Sequence, residues 1–486
     1  MEIKREEIEA IYDQGKEVMV AFVMNLIQEF TSKIEVLTER VNDLEKRLAK
    51  NSQNSSKPPS SDGLRKKKRT RSQRKRTGKK SGGQQGHEGK TLEMSATPDK
   101  VEKLSIKKCK CCGISLKNIQ AKGYEARQEF EIPEPVVEVT EYRAEIKDCP
   151  HCGAVNKAAF PEVITHKTQY GNYLRSMAVY FNNYELIPIE RTSEIFEDIF
   201  NIPLSEGTVV TALTKCAEKL AGFEEWLVNK IKRSKVVNFD ESGMNIGGSL
   251  HWLHSAGTPL LTAYFANKKR GSEAFDTIGI LPDFNGIAIH DHWPAYLKYT
   301  CRHALCNAHH IRELTFAHEQ EGQKWAQGMI DCLLEIKESV DSKRIEGKLI
   351  DESLMKQYER KYDKILQQGF KINPMSENET TKKRGRKKKT KTLNLLIRLR
   401  DFKKENLGFM YDLDIPFDNN LAERDIRMIK VQQKISGLFR TMCGAEKFCR
   451  IRSFISTVKK QGLNVIDSIC QIMNGNQIYL GFALNS

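Results

Sequence analysis

Residues 235–257 read KVVNFDESGMNIGGSLHWLHSAG, and how this stretch folds decides the architecture of the chain. Lys235 to Phe239 has the apolar, β-branched character of a buried strand and ends on Asp240. A turn of glycines follows, and SLHWLHSAG and then LLTAYFANK read as two further strands, making a three-stranded meander. Further on, SEAFDTIGIL reads as a helix, and GIAIH as a fourth strand ending on Asp291. WPAYLKY reads as a short helix, HALCN as a fifth short strand, and AHHIREL as the opening of another helix. The predicted order is therefore βββ-α-β-α-β-α. If strands one and four are neighbours, Asp240 and Asp291 lie side by side at corresponding strand ends. Glu241 follows Asp240 directly, so it is expected to face the opposite side as a bystander. His290 and His292 flank Asp291 and are read as local structural residues.

A third acid comes from DNNLAERDIR, residues 418–427. Glu423 stands there among Arg424, Arg427 and Lys430. Its plainest role is an ion pair with Arg427 one helical turn on, contributing a few tenths of a kcal/mol. The alternative is a metal ligand beside Asp240 and Asp291. Three carboxylates cannot sit together with about −3 of uncompensated charge. Two divalent ions roughly 3.5–4 Å apart would neutralise them and clamp the attacking and leaving oxygens of a phosphoryl displacement. Oxygen-only ligands select Mg²⁺ or Mn²⁺. Asn419 and Asn420 are candidate caps of the Glu423 helix, and Arg424 and Arg427 are candidate phosphate contacts.

The 486 residues call for several domains, and the net charge of +16, from 79 basic and 63 acidic residues, points to a polyanionic partner. The charge is clustered. Residues 65–80, RKKKRTRSQRKRTGKK, hold eleven basic residues and no acid. Arg65, Lys66, Lys67, Lys68, Arg69, Arg71, Arg74, Lys75 and Arg76 are expected to bind DNA phosphates without reading bases; a solvated linker is the alternative. A second basic run, KKRGRKKKTK, interrupts a helical stretch at 371–391. The first residues carry no signal-peptide pattern, and Val18 to Ile27 is too short to span a membrane. A reducing, cytoplasmic setting is expected, in which paired cysteines are metal ligands first.

Two knuckles fit that expectation: Cys109-x-x-Cys112-Gly113 and Cys149-x-x-Cys152-Gly153. Four thiolates close a tetrahedral structural Zn²⁺ site with no open position. Cys112 is chosen over Cys111 because that register aligns Gly113 with Gly153. The stretch 124–147 looks strand-like and suits a zinc ribbon. Near the N-terminus, Ile27, Phe30, Ile34, Leu37, Val41, Leu44 and Leu48 alternate steps of three and four, the seam of a coiled coil or of an amphipathic helix on its own core. Residues 190–220 read as helix, break, helix with Ser205 as N-cap, the outline of a helix-turn-helix.

Together these blocks resemble the IS66-type DDE transposases. The resemblance runs through NSSKPPSSDG, GGQQGHEGKTLE, the two knuckles, LIPIERTSEIFEDIFNIPLSEGT, FDESG, LHWLHSAGT, IHDHWPAYLKY, CNAHHIREL and DNNLAERDIR, in order along most of the chain. It implies an RNase H-like catalytic core with Asp240, Asp291 and Glu423 as the metal-binding acids. Cys306 and His309 match a C-x-x-H element of such transposases and are assigned to shaping the active site. After AER this chain reads DIRMIKVQQKISGLF, where a more proline-containing family text is expected. The long interval from Asp291 to Glu423 implies a helical insertion at about 320–400. The implied activity is metal-dependent cleavage at the ends of an insertion sequence and strand transfer of the 3′-OH into target DNA. An RNase H-like nuclease without strand transfer and a non-catalytic DNA-binding descendant are the rivals. Implied partners are the terminal inverted repeats and target DNA, a homodimer or higher oligomer, and accessory proteins of the same element; no membrane is involved. A bacterial, nucleoid-associated location follows. The expected layout is multidomain α+β: a helix or coiled coil over 1–50, a basic linker over 51–100, and a zinc ribbon over 101–160. A helical DNA-binding region follows over 161–234, the catalytic domain over 235–440 and a C-terminal helical segment over 441–486.

Overall fold

The computed structural model describes residues 5–50, 54, 92–374 and 389–476. The basic run 65–80 lies outside the described residues, as does most of the second one. The chain divides into a smaller compact unit, residues 67–161 with 198–201, and a larger one containing the rest.

The larger unit is built on a five-stranded mixed sheet. Its strands are β1 (Val236–Ile246), β2 (Ser249–Gly257), β3 (Thr262–Asn267), β4 (Ile287–His290) and β5 (Arg302–Leu305), in spatial order β3-β2-β1-β4-β5. β1, β2 and β3 form an antiparallel meander, whereas β4 pairs parallel with β1 and β5 parallel with β4. One expectation needs correcting: β1 does not end at Asp240. Its parallel pairing with β4 stops at Asn238, but its antiparallel pairing with β2 continues to Ile246. The hairpin turn is Gly247-Gly248, both with positive φ (56° and 81°), a conformation that disfavours any residue with a Cβ. WPAYLKY contains only a single 3₁₀ turn, Tyr296–Lys298.

The two faces of the sheet carry different layers, as period-two alternation requires. Val237 and Phe239 of β1 pack with Phe275, Phe284 and Tyr296 on one face. Met244, Ile246, Leu253 and Tyr264 pack with Ile426, Ile429 and Phe448 in a second cluster. Ile289 and Ala304 pack with Leu314, Trp325 and Leu396 from the helices between β5 and Glu423. Those insertion helices are Lys324–Ile345, Glu352–Ile372 and Lys391–Asp401. A further core joins Val179, Cys216 and Leu220 of the helical stretch before β1 to Phe454, Val458 and Ile469 near the C-terminus. Within that stretch, Ile189–Phe200 and Glu206–Lys219 are the two expected helices, and the Ser205 hydroxyl accepts the Thr208 N–H at 3.2 Å.

In the N-terminal part, Lys16–Leu48 is one helix of 33 residues. Its seam residues Ile27, Phe30, Ile34, Leu37, Val41, Leu44 and Leu48 are all exposed, so the stripe is not covered by the core of the described residues. No described helix is long and apolar enough to cross a membrane.

In the smaller unit the two knuckles have the same construction. Cys109 N–H donates to the Ile114 carbonyl at 2.9 Å and Gly113 N–H to the Cys109 carbonyl at 3.0 Å. The corresponding bonds, Cys149 to Ala154 and Gly153 to Cys149, are 2.9 and 2.8 Å. Gly113 and Gly153 both have positive φ (76° and 68°), the conformation that closes the knuckle. The strand-like reading of 124–147 is corrected: only its last two residues are in a strand, Ile146–Asp148, paired with Val155–Lys157. Alternating residues there are exposed on both sides, so burial does not enforce pairing.

Candidate active site

β1 and β4 lie side by side, and their parallel register, Asn238 opposite Ile289, carries both strands toward the acids that follow. Asp240 comes two residues beyond that pair on β1, and Asp291 follows the last residue of β4. Asp240 Oδ1 accepts the N–H of Glu241 at 2.8 Å, and Asp291 Oδ1 accepts the N–H of Trp293 at 3.2 Å. The turn after Asp291 places His292 at φ 69°, a left-handed conformation costly for a residue with a side chain.

Glu423 sits on the short helix Asn420–Ile426. Asp425 anchors this helix: its Oδ2 accepts from Lys460 at 2.5 Å and from Thr262 at 3.1 Å, and its carbonyl accepts the Tyr264 hydroxyl at 2.8 Å. Gly257 of β2 permits the approach, because a Cβ there would lie 2.9 Å from Asp425 Oδ2. The other two acids act on Asp240. Burial, then the charges of Asp291 and Glu241, with a smaller push from Glu423, raise Asp240 well above the ordinary carboxylate range. Asp240, Asp291 and Glu423 are thus electrostatic neighbours.

The expected ion pair of Glu423 with Arg427 is absent among the described residues. The helix ends at Ile426, and both Arg424 and Arg427 are exposed. Glu423 instead faces the helix Asn307–Glu321. Arg312 Nη2 is 3.4 Å from each Glu423 oxygen, and His309 Nδ1 is 3.7 Å from Oε1. Arg312 Nη1 also donates to His309 Nε2 at 3.3 Å. Arg312 was not singled out in the sequence. Its signal was the i, i+3 spacing from His309, which places both on one face of a helix.

Asn419 also differs from its expected role. It occupies the N-cap position, yet its side chain makes no cap bond. Its amide donates to the Phe239 carbonyl at 2.8 Å and its Oδ1 accepts from Asn238 at 2.8 Å. Its backbone N–H donates to Cys306 Sγ at 3.1 Å, and its carbonyl accepts the Glu423 N–H at 3.2 Å. One buried residue thereby ties together the strand before Asp240, the end of β5 and the helix of Glu423. Asn420 remains exposed and bonds only Asp418. Cys306 is fully buried, and burial pushes its thiol up to about 12.

Glu241 faces away from this cluster, as alternation requires, but it is no idle surface group. Its carboxylate is buried, accepts the Tyr296 hydroxyl, and lies 3.5 Å from Arg270. The Arg270 guanidinium stacks over Trp293 at 4.0 Å and Trp252 at 4.8 Å. His290 stacks on Tyr296 at 4.5 Å and is held well below the ordinary histidine range, first by burial and then by His303. Its Nδ1 accepts the His292 N–H at 3.2 Å, so His290 supports the turn that presents Asp291.

The knuckle thiols lie in the smaller unit as free cysteines, and the structure does not bring three of them within 4.8 Å of one another. Cys109 is lowered chiefly by the N–H groups of Cys112 and Cys111, and Cys149 by those of Cys152 and His151. Amide donors aimed at sulfur favour the thiolate, the form that binds Zn²⁺. The two knuckles share one turn geometry, in which Cys112 stands where Cys152 does.

Comparison with known families places the chain among the transposases, a class of nucleic-acid enzyme. Residues 107–153 match the zinc-finger binding domain of transposase IS66, and residues 2–93 match a family of unknown function. The family described as Transposase IS66 family matches residues 167–447, more than half of the chain, and the chain belongs to that family. No curated protein matches it. The zinc-finger match supports structural Zn²⁺ at the knuckles and, with the transposase match, DNA as a partner.

Proposed function

We propose that the chain cleaves DNA at the ends of an insertion sequence and joins the freed 3′ ends to target DNA, using Asp240, Asp291 and Glu423 as catalytic carboxylates. The observation carrying this reading is that acids from separate parts of the chain are felt at one carboxylate: burial first, then Asp291 and Glu241 and more weakly Glu423, raises Asp240. The strand order β3-β2-β1-β4-β5, with β2 running against the other four strands, supports an RNase H-like core. In that core the first and fourth strands present acids side by side.

The donor set fits the divalent ion that this family implies. All three groups are oxygen donors, their mutual repulsion asks for a cation, and Arg312 reaches only Glu423. Asp240, Asp291 and Glu423 would hold Mg²⁺ or Mn²⁺, which supplies Lewis-acid stabilisation of charge on the phosphate and the reacting oxygens. The remaining work falls to the protein. Asn419 sets the position of Glu423 relative to Asp240, and the Trp293 N–H orients Asp291. In the first step water attacks phosphorus and the P–O3′ bond breaks, leaving a 3′-OH and a 5′-phosphate. In the second that 3′-OH attacks a target phosphodiester; a new P–O bond forms and a target 3′-OH leaves. Neither step forms a covalent bond to the enzyme.

Around this core, the basic run 65–80, the zinc module and the two-helix element before β1 hold the terminal repeats and target. Arg424 and Arg427, exposed beside Glu423, contact phosphates. The exposed apolar seam of Lys16–Leu48 pairs subunits as a coiled coil, holding two ends together. Accessory proteins of the same element complete the assembly. The test is a Mg²⁺- or Mn²⁺-dependent reaction on a labelled end fragment with a target plasmid. Nicking with joined product supports transposition; nicking without joining replaces it with a nuclease.

A further inference from the structure

C-x-x-H supplies only two ligands, but the fold brings a third to them. One ligand atom each of Cys306, His309 and Glu423 lies within 4.8 Å of the others, the one such grouping of three or more metal-binding side chains among the described residues. The local construction explains how. Cys306 closes β5 and is the N-cap of the helix Asn307–Glu321, so His309 falls within its first turn. The Asn419 N–H bond to Cys306 Sγ then draws the start of the Glu423 helix against the same point.

We propose that Cys306, His309 and Glu423 form a binding site for a borderline divalent ion of the Zn²⁺ class, distinct from the all-oxygen site and competing with it for Glu423. The part concerning competition rests on the catalytic reading of Glu423; the binding itself does not. A thiolate, an imidazole and a carboxylate with an open fourth position suit Zn²⁺ or Co²⁺ and are poor ligands for Mg²⁺. His309 Nδ1 is buried without a hydrogen-bond partner and points to Glu423 Oε1 at 3.7 Å.

Arg312 is the resident cation of this corner. It spans Glu423 and His309 Nε2, and because arginine only donates, Nε2 is the acceptor and Nδ1 carries the proton. Binding at Nδ1 therefore moves the imidazole proton to Nε2 and releases the Cys306 thiol proton to solvent. Arg312 must then withdraw. It is partly exposed and long enough to do so. The ion and the guanidinium are thus alternatives, and removing Arg312 strengthens the site.

The test is Zn²⁺ titration of full-length protein whose knuckle zinc is already loaded, followed by calorimetry and metal analysis. Wild type is expected to take up one further equivalent. Cys306→Ser and His309→Gln lose it while keeping the knuckle zinc, and Arg312→Gln binds it about tenfold more tightly. Circular dichroism and tryptophan fluorescence confirm that each variant is folded. Co²⁺ in place of Zn²⁺ supplies a second readout, a sulfur-to-metal absorption lost specifically in Cys306→Ser. Equal uptake by wild type and folded Cys306→Ser overturns the site. In the Mg²⁺-supported reaction, Zn²⁺ is expected to inhibit wild type and to spare residual activity of Cys306→Ser. Uptake without inhibition overturns the competition and leaves the binding site standing. If neither wild type nor any variant cleaves DNA with the element's accessory proteins present, the catalytic reading fails while the titration still decides the site.

Discussion

Asn419→Ala tests the idea that one buried side chain sets the geometry of the three acids. The substitution deletes two side-chain bonds of 2.8 Å, to the Phe239 carbonyl and from the Asn238 amide, and strands the buried Asn238 amide. A typical internal hydrogen bond contributes about 1 kcal/mol, and a stranded buried partner costs about 1–3 kcal/mol. The expected loss is therefore roughly 2–4 kcal/mol, large for one substitution. Urea unfolding followed by tryptophan fluorescence reads it, because Trp252 and Trp293 lie in the same unit. Asn420→Ala is the control: its exposed side chain bonds only Asp418, and its expected effect is below about 0.5 kcal/mol. A double-mutant cycle with Asn238→Ala should return a coupling of roughly 1 kcal/mol or more. In conditions where the variant is still folded, cleavage should fall while affinity for DNA stays. A shift for Asn419→Ala as small as that of Asn420→Ala would refute the reasoning.

Further outcomes follow from other parts of the molecule. Burial, partly offset by Tyr296, and the Asp291 charge raise Glu241 from 4.5 to about 7. A folded value above the unfolded one means stability is fully present below the unfolded pKa and is gone once the pH passes the folded one. Glu241 is thus expected to account for about 3 kcal/mol of stability lost across that window in metal-free buffer, and Glu241→Gln to show a shallower profile there, the raised Asp240 supplying part of what remains. Chelating zinc, or Cys149→Ser, should abolish binding to end fragments while near-ultraviolet circular dichroism of the larger unit stays; unchanged binding would refute the division of labour. Leu37→Glu, in the exposed seam, should convert a dimer to monomer by sedimentation, and no change would refute pairing through that helix.

Legibility followed physical cause. The sheet could be read because buried strands need apolar runs and glycine turns, and both acids stood at the ends of such runs. The end of β1 was misread, since a strand leaving a parallel neighbour while keeping an antiparallel one shows no break at Asp240. The turns of both knuckles were legible through Gly113 and Gly153, because left-handed backbone falls to glycine. Long-range polar partners were not legible. Nothing local to Asn419 announces Phe239 or Asn238, some 180 residues away. Glu241 illustrates the same limit: alternation assigned its face correctly, but its partners Tyr296 and Arg270 come from separate turns. The Glu423–Arg427 pair failed for a different reason. Spacing allowed it, but the helix stops at Ile426, and Arg312 from another helix reaches the carboxylate.

The most direct test of the central claim compares wild type with Glu423→Gln on a labelled end fragment and target plasmid, with Mg²⁺ or Mn²⁺ and the element's accessory proteins. The account predicts nicking and joining by wild type, and loss of both in the variant by at least about a hundredfold with DNA binding retained. Equal activity in the two proteins would contradict it, returning Glu423 to a partner of Arg312 and requiring a third acid elsewhere.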